Sequence, residues 1–357
     1  MSDRATDAVL LVSFGGPEGP DDVLPFMRNV TEGRGIPDAR LEEVSEHYYA
    51  RGGVSPIQEQ CRDLRAALEQ ELRDAGHDLK VYWGNRNWHP FLADTLREMA
   101  SDGVEHAVAV LTSAYSSYSG CRQYREDVER ARQEVAAEGI DPPTFEKVRA
   151  YYNHPGFVLP HVDYVRDAIA SLPGEEQSDA RVVFTTHSIP RTMSRHCDYE
   201  VQTYETCRLV MEELGTGHGW DLVYNSRSGP EFVPWLEPDV NDHIEALAAD
   251  GVTGVVVVPI GFVSDHMEVV YDLDTEAAQT AERAGVAYAR AATVGTDGRF
   301  VTGLRELLEE HLTGADPKSL GVRGPNWTEC PADCCFTPGQ EQVPAIAQAA
   351  PRGRPGR

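Results

Sequence analysis

The chain has 357 residues, room for about two domains and a sizeable core, and its 58 acidic against 32 basic residues leave a net charge of −26. That balance argues against a nucleic-acid binder, which needs a basic footprint, and against docking on anionic lipid. With no run of 18 apolar residues, no signal-peptide pattern and an odd seven cysteines, the expectation is a cytoplasmic protein with no transmembrane segment and reduced thiols.

Strands and helices alternate along the chain, the pattern of a doubly wound α/β architecture with parallel sheets. In the first half strands are predicted near 8–13, 79–83, 106–111 and 145–150, with helices near 20–30, 39–50, 57–75, 90–101, 121–138 and 156–171. In the second half strands are predicted near 181–186, 221–225, 254–259 and 286–291, with helices near 198–214, 238–250, 267–284 and 298–312. The turn at 171–180 divides the chain into domains 1–172 and 173–315, and a cysteine-containing tail, 316–357, follows. Beyond about 340 the tail is Ala, Pro, Gly and Arg and is expected to be disordered. The sequences of the two halves show no repeat, and nothing in them fixes an oligomeric state; a monomer is the working expectation.

Two strand ends carry candidate chemistry. Val255–Val258 reads as a strand buried on both faces, ended by the turn Pro259–Phe262, after which Ser264 or Asp265 is expected to cap a helix. On that helix Glu268, Asp272 and Glu276 recur every four residues and so line one face. Like charges at that spacing cost roughly 0.2–0.5 kcal/mol per pair, so either bulk water or a cation must offset them. At the other strand end, RVVFTTHSIP (Arg181–Pro190), His187 closes a β-branched strand. Ligands of open α/β sheets bind beyond the carboxyl ends of strands. An imidazole and a carboxylate at adjacent strand ends can hold a divalent metal or accept protons.

The blocks THSIP, SRSGP (Ser226–Pro230), WLEPDV (Trp235–Val240) and PIGFVSDHMEVVYDLD resemble the signature segments of the ferrochelatase family. LLVSFGGPEGPDDVLPFMRNV (Leu10–Val30) and GGVSPI (Gly52–Ile57) resemble its amino-terminal segments, and the six blocks run in the family's order from about residue 8 to about 315. RNVTEGRGIP and GNRNW look like the actinobacterial branch, which is associated with coproporphyrin III rather than protoporphyrin IX. The resemblance implies two Rossmann-like domains with a central cleft, a last helix near 298–312 packing back on the first domain, and insertion of Fe²⁺ into a porphyrin. It implies catalytic roles for His187 and Glu268, with base and metal-ligand duties undivided, and a hydrophilic path for protons or metal along Asp272 and Glu276. Arg28, Arg34 and Arg86 fall in segments that look like the family's cleft lining. Arginine forks suit porphyrin carboxylates, and Ser55, Ser117 and Tyr124 are further substrate-binding candidates. Phe14 stands where several relatives carry a tyrosine able to ligate haem iron, so that feature does not carry over. The alternatives are a protoporphyrin IX enzyme, a cobalt or iron chelatase for a more reduced tetrapyrrole, and a haem or metal carrier without catalysis.

The cysteines form a second constellation. Cys330, Cys334 and Cys335 stand as C-x₃-C-C in the tail, and a [2Fe–2S] cluster takes four thiolates. Cys121, whose setting resembles the amino-terminal cluster ligand of animal members of the family, is the expected fourth ligand, with Cys197 in reserve. Zinc, which also takes four cysteines, and three metal-free thiols are the alternatives. Cys61 and Cys207 read as small core residues.

Overall fold

The computed structural model describes residues 5–349 except 34, 230, 231, 338 and 340. Arg34 and the chain end from 350 on thus lie outside the described residues. Eight strands form: β1 (Ala8–Ser13), β2 (Lys80–Asn85), β3 (His106–Leu111), β4 (Thr144–Lys147), β5 (Arg181–His187), β6 (Trp220–Asn225), β7 (Gly254–Val258) and β8 (Ala287–Arg290). They make two parallel four-stranded sheets, in the orders β2-β1-β3-β4 and β6-β5-β7-β8. The second lobe therefore repeats the strand order of the first. The central strands are buried along their whole length, AVLLVS in β1 and GVVVV in β7, because helices cover both faces of each sheet.

The helices are α1 (Pro20–Val30), α2 (Asp38–Tyr49), α3 (Ile57–Asp74), α4 (Leu92–Ser101), α5 (Gln123–Ala137), α6 (Pro155–Ser171), α7 (Arg191–Ser194), α8 (Tyr199–Leu214), α9 (Val240–Ala249), α10 (Met267–Tyr271), α11 (Ala278–Ala284) and α12 (Gly298–Leu312). Two of them tie the lobes together. Helix α6 precedes the turn at 171–180 in sequence, yet Val158, Val162 and Val165 share a core with Val182, Phe184 and Val256 of the second sheet. Helix α12 runs the other way. Its Leu304, Leu307 and Leu308 join the core built on Val9, Leu11, Val108 and the α3 leucines Leu64, Leu68 and Leu72.

Three local expectations are corrected. The helix expected over 267–284 is three pieces, α10, a π-helical turn at Asp272–Ala277, and α11. The helix expected over 121–138 likewise opens on a π-helical turn, Tyr118–Arg122. Neither Ser264 nor Asp265 caps α10, whose N-cap is His266 with no side-chain cap bond. The Asp265 carboxylate is drawn away to Arg290 and Thr293.

The tail beyond α12 forms no helix or strand among the described residues. Residues 341–349 lie against the first lobe. Arg122 donates to the Val343 carbonyl at 3.1 Å, and Arg125 donates to those of Ile346 at 2.9 Å and Ala347 at 3.2 Å. Ile346 is buried in the first lobe's core beside Val128 and Ala131. Long-range bonds from two arginines and one apolar anchor supply what local composition lacks. No helix among the described residues is long and apolar enough to cross a membrane.

Candidate active site

Parallel pairing sets the last residue of β5, His187, level with the last of β6, Asn225. Beside them β7 ends in the turn Pro259–Phe262. Gly261 lies so close to β5 that a Cβ there would sit 2.2 Å from Thr186 Oγ1. Only glycine allows that approach, and it delivers α10 to the strand end where His187 stands. Glu268, in the first turn of α10, then faces His187, with Oε2 3.7 Å from Nε2. The histidine's Nδ1 bonds to the Ser188 carbonyl. An acceptor carbonyl there keeps the proton on Nδ1 and leaves the Nε2 lone pair directed at Glu268. Both side chains are part-exposed, so the pair opens on solvent-accessible space.

Asp272 stands one turn on, at the start of the π turn. Its Oδ2 accepts bonds from Asn225 Nδ2 at 3.0 Å and from Ser226 Oγ. Burial lifts its pKa to about 6; the Ser226 bond pulls it down, and the Glu268 charge pushes it up. Ser226 itself has φ +59, the left-handed region that non-glycine residues seldom adopt. A residue held there costs on the order of 1–3 kcal/mol, and this one holds the buried carboxylate. Glu276 is exposed at the far side of the π turn. The charges of Glu268 and Glu276 both raise the Asp272 pKa, so the three acids remain neighbours across the wider turn, with Asp272 the least exposed of them.

The first lobe closes over this ladder. His47 of α2 stacks on Tyr271, with centroids 3.6 Å apart and planes at 9°. Arg51 donates to Thr275 Oγ1 at 3.1 Å. Met267 packs with Phe26, Tyr48 and Trp88 of the first lobe. The Tyr48 phenol is pushed well above its usual pKa, by burial first and then by the charges of Glu268 and Asp272. His266 is disfavoured from taking a proton by burial, with His187 adding to the effect and Glu268 opposing it. A second contact between lobes is Tyr115, whose hydroxyl donates to the Ile260 carbonyl at 2.9 Å.

Asn225, Ser226, His266 and Tyr48 were not among the residues singled out from sequence. The signal for Asn225 and Ser226 was available, a polar pair closing a strand just as His187 does. Tyr48 gave none, because its place depends on how the lobes meet.

The substrate candidates are scattered. Arg28 is exposed and meets Asp38 at 3.3 Å. Ser55 is buried against the backbone of Gly16. Arg86 is buried, paired with Asp127 at 2.5 Å and lying 4.4 Å over the Tyr124 ring. Ser117 caps the first π turn, accepting from the Gly120 amide at 2.8 Å. Arg86 and Ser117 each have an internal partner, and Tyr124 lies beneath the Arg86 guanidinium.

The cysteine set converges. Cys121 and Cys334 both hydrogen-bond to Cys330, favouring its thiolate and drawing its pKa far below the ordinary thiol range. Cys334 Sγ lies 3.5 Å from Cys335 Sγ. The reserve candidate Cys197 instead bonds to the carbonyls of Met193 and Ser194. Cys61 and Cys207 are buried in the core. Among the described residues, no group of three or more His, Cys, Asp or Glu donors is arranged to hold a metal ion.

Comparison with known proteins agrees with this geometry. The family model "Ferrochelatase" matches residues 6–312. A coproporphyrin III ferrochelatase of Streptomyces griseus is 50% identical over 362 residues, covering 96% of each chain. One of Nocardia farcinica is 50% identical, over 93% of this chain and 97% of the relative. A ferrochelatase of Rhodopirellula baltica is 51% identical, over 94% and 95%. Among solved structures, SirB from Bacillus subtilis with Fe³⁺ superposes with a TM-score of 0.51 at 14% identity, over 86% of this chain and 97% of that one, a likeness of fold alone. Two repeated parallel sheets, a histidine and a glutamate meeting at their strand ends, and half-identical relatives over nearly the full length lead to one conclusion: the chain belongs to the ferrochelatase family.

Proposed function

We propose that this metal-inserting enzyme places Fe²⁺ in coproporphyrin III, releasing two protons and forming the iron coproporphyrin. The observation that carries the reading is the His187–Glu268 pair, 3.7 Å apart at the mouth between the lobes. Its chemistry suits the task. Two pyrrole N–H protons must leave while a part-dehydrated ferrous ion approaches, and a mixed imidazole and carboxylate site suits Fe²⁺. The Nε2 lone pair of His187 takes a pyrrole proton or the incoming iron, and Glu268 shares whichever it takes. Asp272, with a pKa near 6, passes protons outward, and Glu276 delivers them to water. Arg28, with its exposed guanidinium, and Arg34 are the arginines proposed to meet substrate carboxylates; Ser55 is a further donor. Phe14 offers product iron no axial ligand.

The choice of coproporphyrin over protoporphyrin IX is supported by the names of the half-identical Streptomyces and Nocardia relatives. Anaerobic incubation of the enzyme with Fe²⁺ and each porphyrin, followed by absorbance, tests it. A higher kcat/KM for coproporphyrin III is expected; a higher value for protoporphyrin IX overturns the substrate assignment.

The same reading includes a [2Fe–2S] cluster on Cys121, Cys330, Cys334 and Cys335. The support is the spacing of the cysteines, with Cys334 Sγ 3.5 Å from Cys335 Sγ and three of the four thiols buried. Such a cluster would tie the tail to the first π turn and stabilise the folded chain by mass action. It stands apart from His187 and Glu268, and this chain's own residues carry out the insertion.

A further inference from the structure

Side chains of strand β4 alternate between its faces, and the two on its buried face are Phe145 and Lys147. A lysine thus occupies a place where the pattern calls for an apolar side chain, and it is only 2% exposed. Its ammonium donates to the Val148 carbonyl at 3.2 Å and makes no ion pair among the described residues. Lys147 lines a small cavity together with Ser113, Tyr115, Cys121, Arg149 and Tyr151. Arg149 is buried too. Glu310 meets its charge through Nε and Nη2, yet its Nη1 is buried without a partner. The Ser113 hydroxyl makes no hydrogen bond among the described residues. The Tyr115 and Tyr151 hydroxyls are engaged elsewhere, on the carbonyls of Ile260 and Leu111. The lining therefore offers donors and no carboxylate.

A buried ammonium with no anion beside it is among the most costly features a fold can carry. One unmatched positive charge, an idle guanidinium N–H and a free hydroxyl around a common space call for a single negative occupant. The space left in the cavity, about 10 Å³, admits one body on the scale of a water molecule and excludes polyatomic oxyanions such as phosphate or sulfate. We propose that this cavity is a halide site, in which chloride accepts from Lys147 Nζ, Arg149 Nη1 and the Ser113 hydroxyl. Water fits the same space but brings no charge to offset the lysine. With chloride bound the charges balance locally, Glu310 against Arg149 and the halide against Lys147. The site needs no metal, and it shares no residue with the His187–Glu268 pair. Its place gives the ion a structural duty, because Tyr115, one wall of the cavity, also carries the bond from the first lobe to the Ile260 carbonyl.

The test uses the full chain, with bromide in crystals and chloride in solution. Bromide is expected to give an anomalous-scattering peak inside the cavity. Exchanging gluconate for chloride at constant ionic strength is expected to lower the unfolding equilibrium constant about tenfold, as for a ligand near about ten times its Kd. Lys147→Met keeps the stem, removes the charge and puts an apolar side chain at an apolar position. It should lose the bromide peak and respond to chloride by less than about twofold. In gluconate it should be at least as stable as the parent, because it removes a lone buried cation. Ser113→Ala, a milder change, should fold as the parent does and need several-fold more chloride for the same response; it carries the test if Lys147→Met does not fold. Cys334→Ser, which breaks the set of four thiols, should respond as the parent does. A cavity holding water only would overturn the site. So would a bromide peak with no effect of chloride on stability, which marks an adventitious ion only. An equal chloride response in Lys147→Met, an unchanged chloride requirement in Ser113→Ala, or a response lost in Cys334→Ser would overturn it as well.

Discussion

At Asp272 burial and hydrogen bonding act in opposite directions, and burial wins. An acid whose folded pKa rises from 3.8 to about 6 keeps its proton in the folded state over a range where the unfolded chain has lost it. Stability from this group therefore falls as pH climbs from about 4 to 6 and stays reduced above it, by on the order of 2–3 kcal/mol. Asp272→Asn keeps an oxygen to accept from Asn225 and Ser226 and removes the charge. The metal-free variant is expected to be more stable than the parent at pH 8, to lose that advantage near pH 4, and to insert iron more slowly. Urea unfolding at the two pH values checks it; an equal or lower stability at pH 8 would mean the carboxylate is not strained by burial. His187 and Glu268 were legible in the sequence because each follows a strand whose apolar run marks its end. The clamp on Asp272 was not, since it needs the lateral pairing of β5 with β6 to bring Asn225 and Ser226 alongside.

Strands and helices reach their observed bounds within a few residues of those read from hydrophobic period, because the parallel sheets are buried on both faces and punctuated by Gly and Pro. The π turns escaped that reading. A wider turn of six residues shifts the period too little to register in the hydrophobic pattern. The Pro259–Phe262 turn shows the opposite case, a motif whose reason is visible once the backbone is seen. Gly261→Ala would push a Cβ to 2.2 Å from Thr186 Oγ1 and 2.7 Å from Thr186 Cβ, next to His187. It is expected to destabilise the fold by roughly 1–3 kcal/mol through overpacking. Because the strain falls between the two elements that bring His187 to Glu268, insertion should drop with stability. Thermal unfolding and insertion rate measured together check this, and a variant matching the parent in both would contradict the close-approach account.

Across the whole molecule the same four-strand order appears twice, and its two copies exchange helices, α6 onto the second sheet and α12 onto the first. No repeat in sequence announced that symmetry, because what the copies share is strand order and burial, which many residue choices satisfy. The contacts of residues 343–347 were hidden for the converse reason. Their partners, Arg122 and Arg125, stand more than two hundred residues away in sequence. The net charge of −26 sets a field that attracts ferrous iron and repels porphyrin carboxylates, so the site must bind its macrocycle by apolar contact and local arginines. All of this converges on one pair of side chains at the mouth between the lobes. The most direct test is to measure iron insertion into coproporphyrin III and porphyrin affinity on the same preparation of His187→Ala. Insertion should be abolished while porphyrin still binds within roughly tenfold of the parent, because the lost group acts on protons and iron and not on the ring edges. Insertion near the parental rate would contradict the assignment of the site.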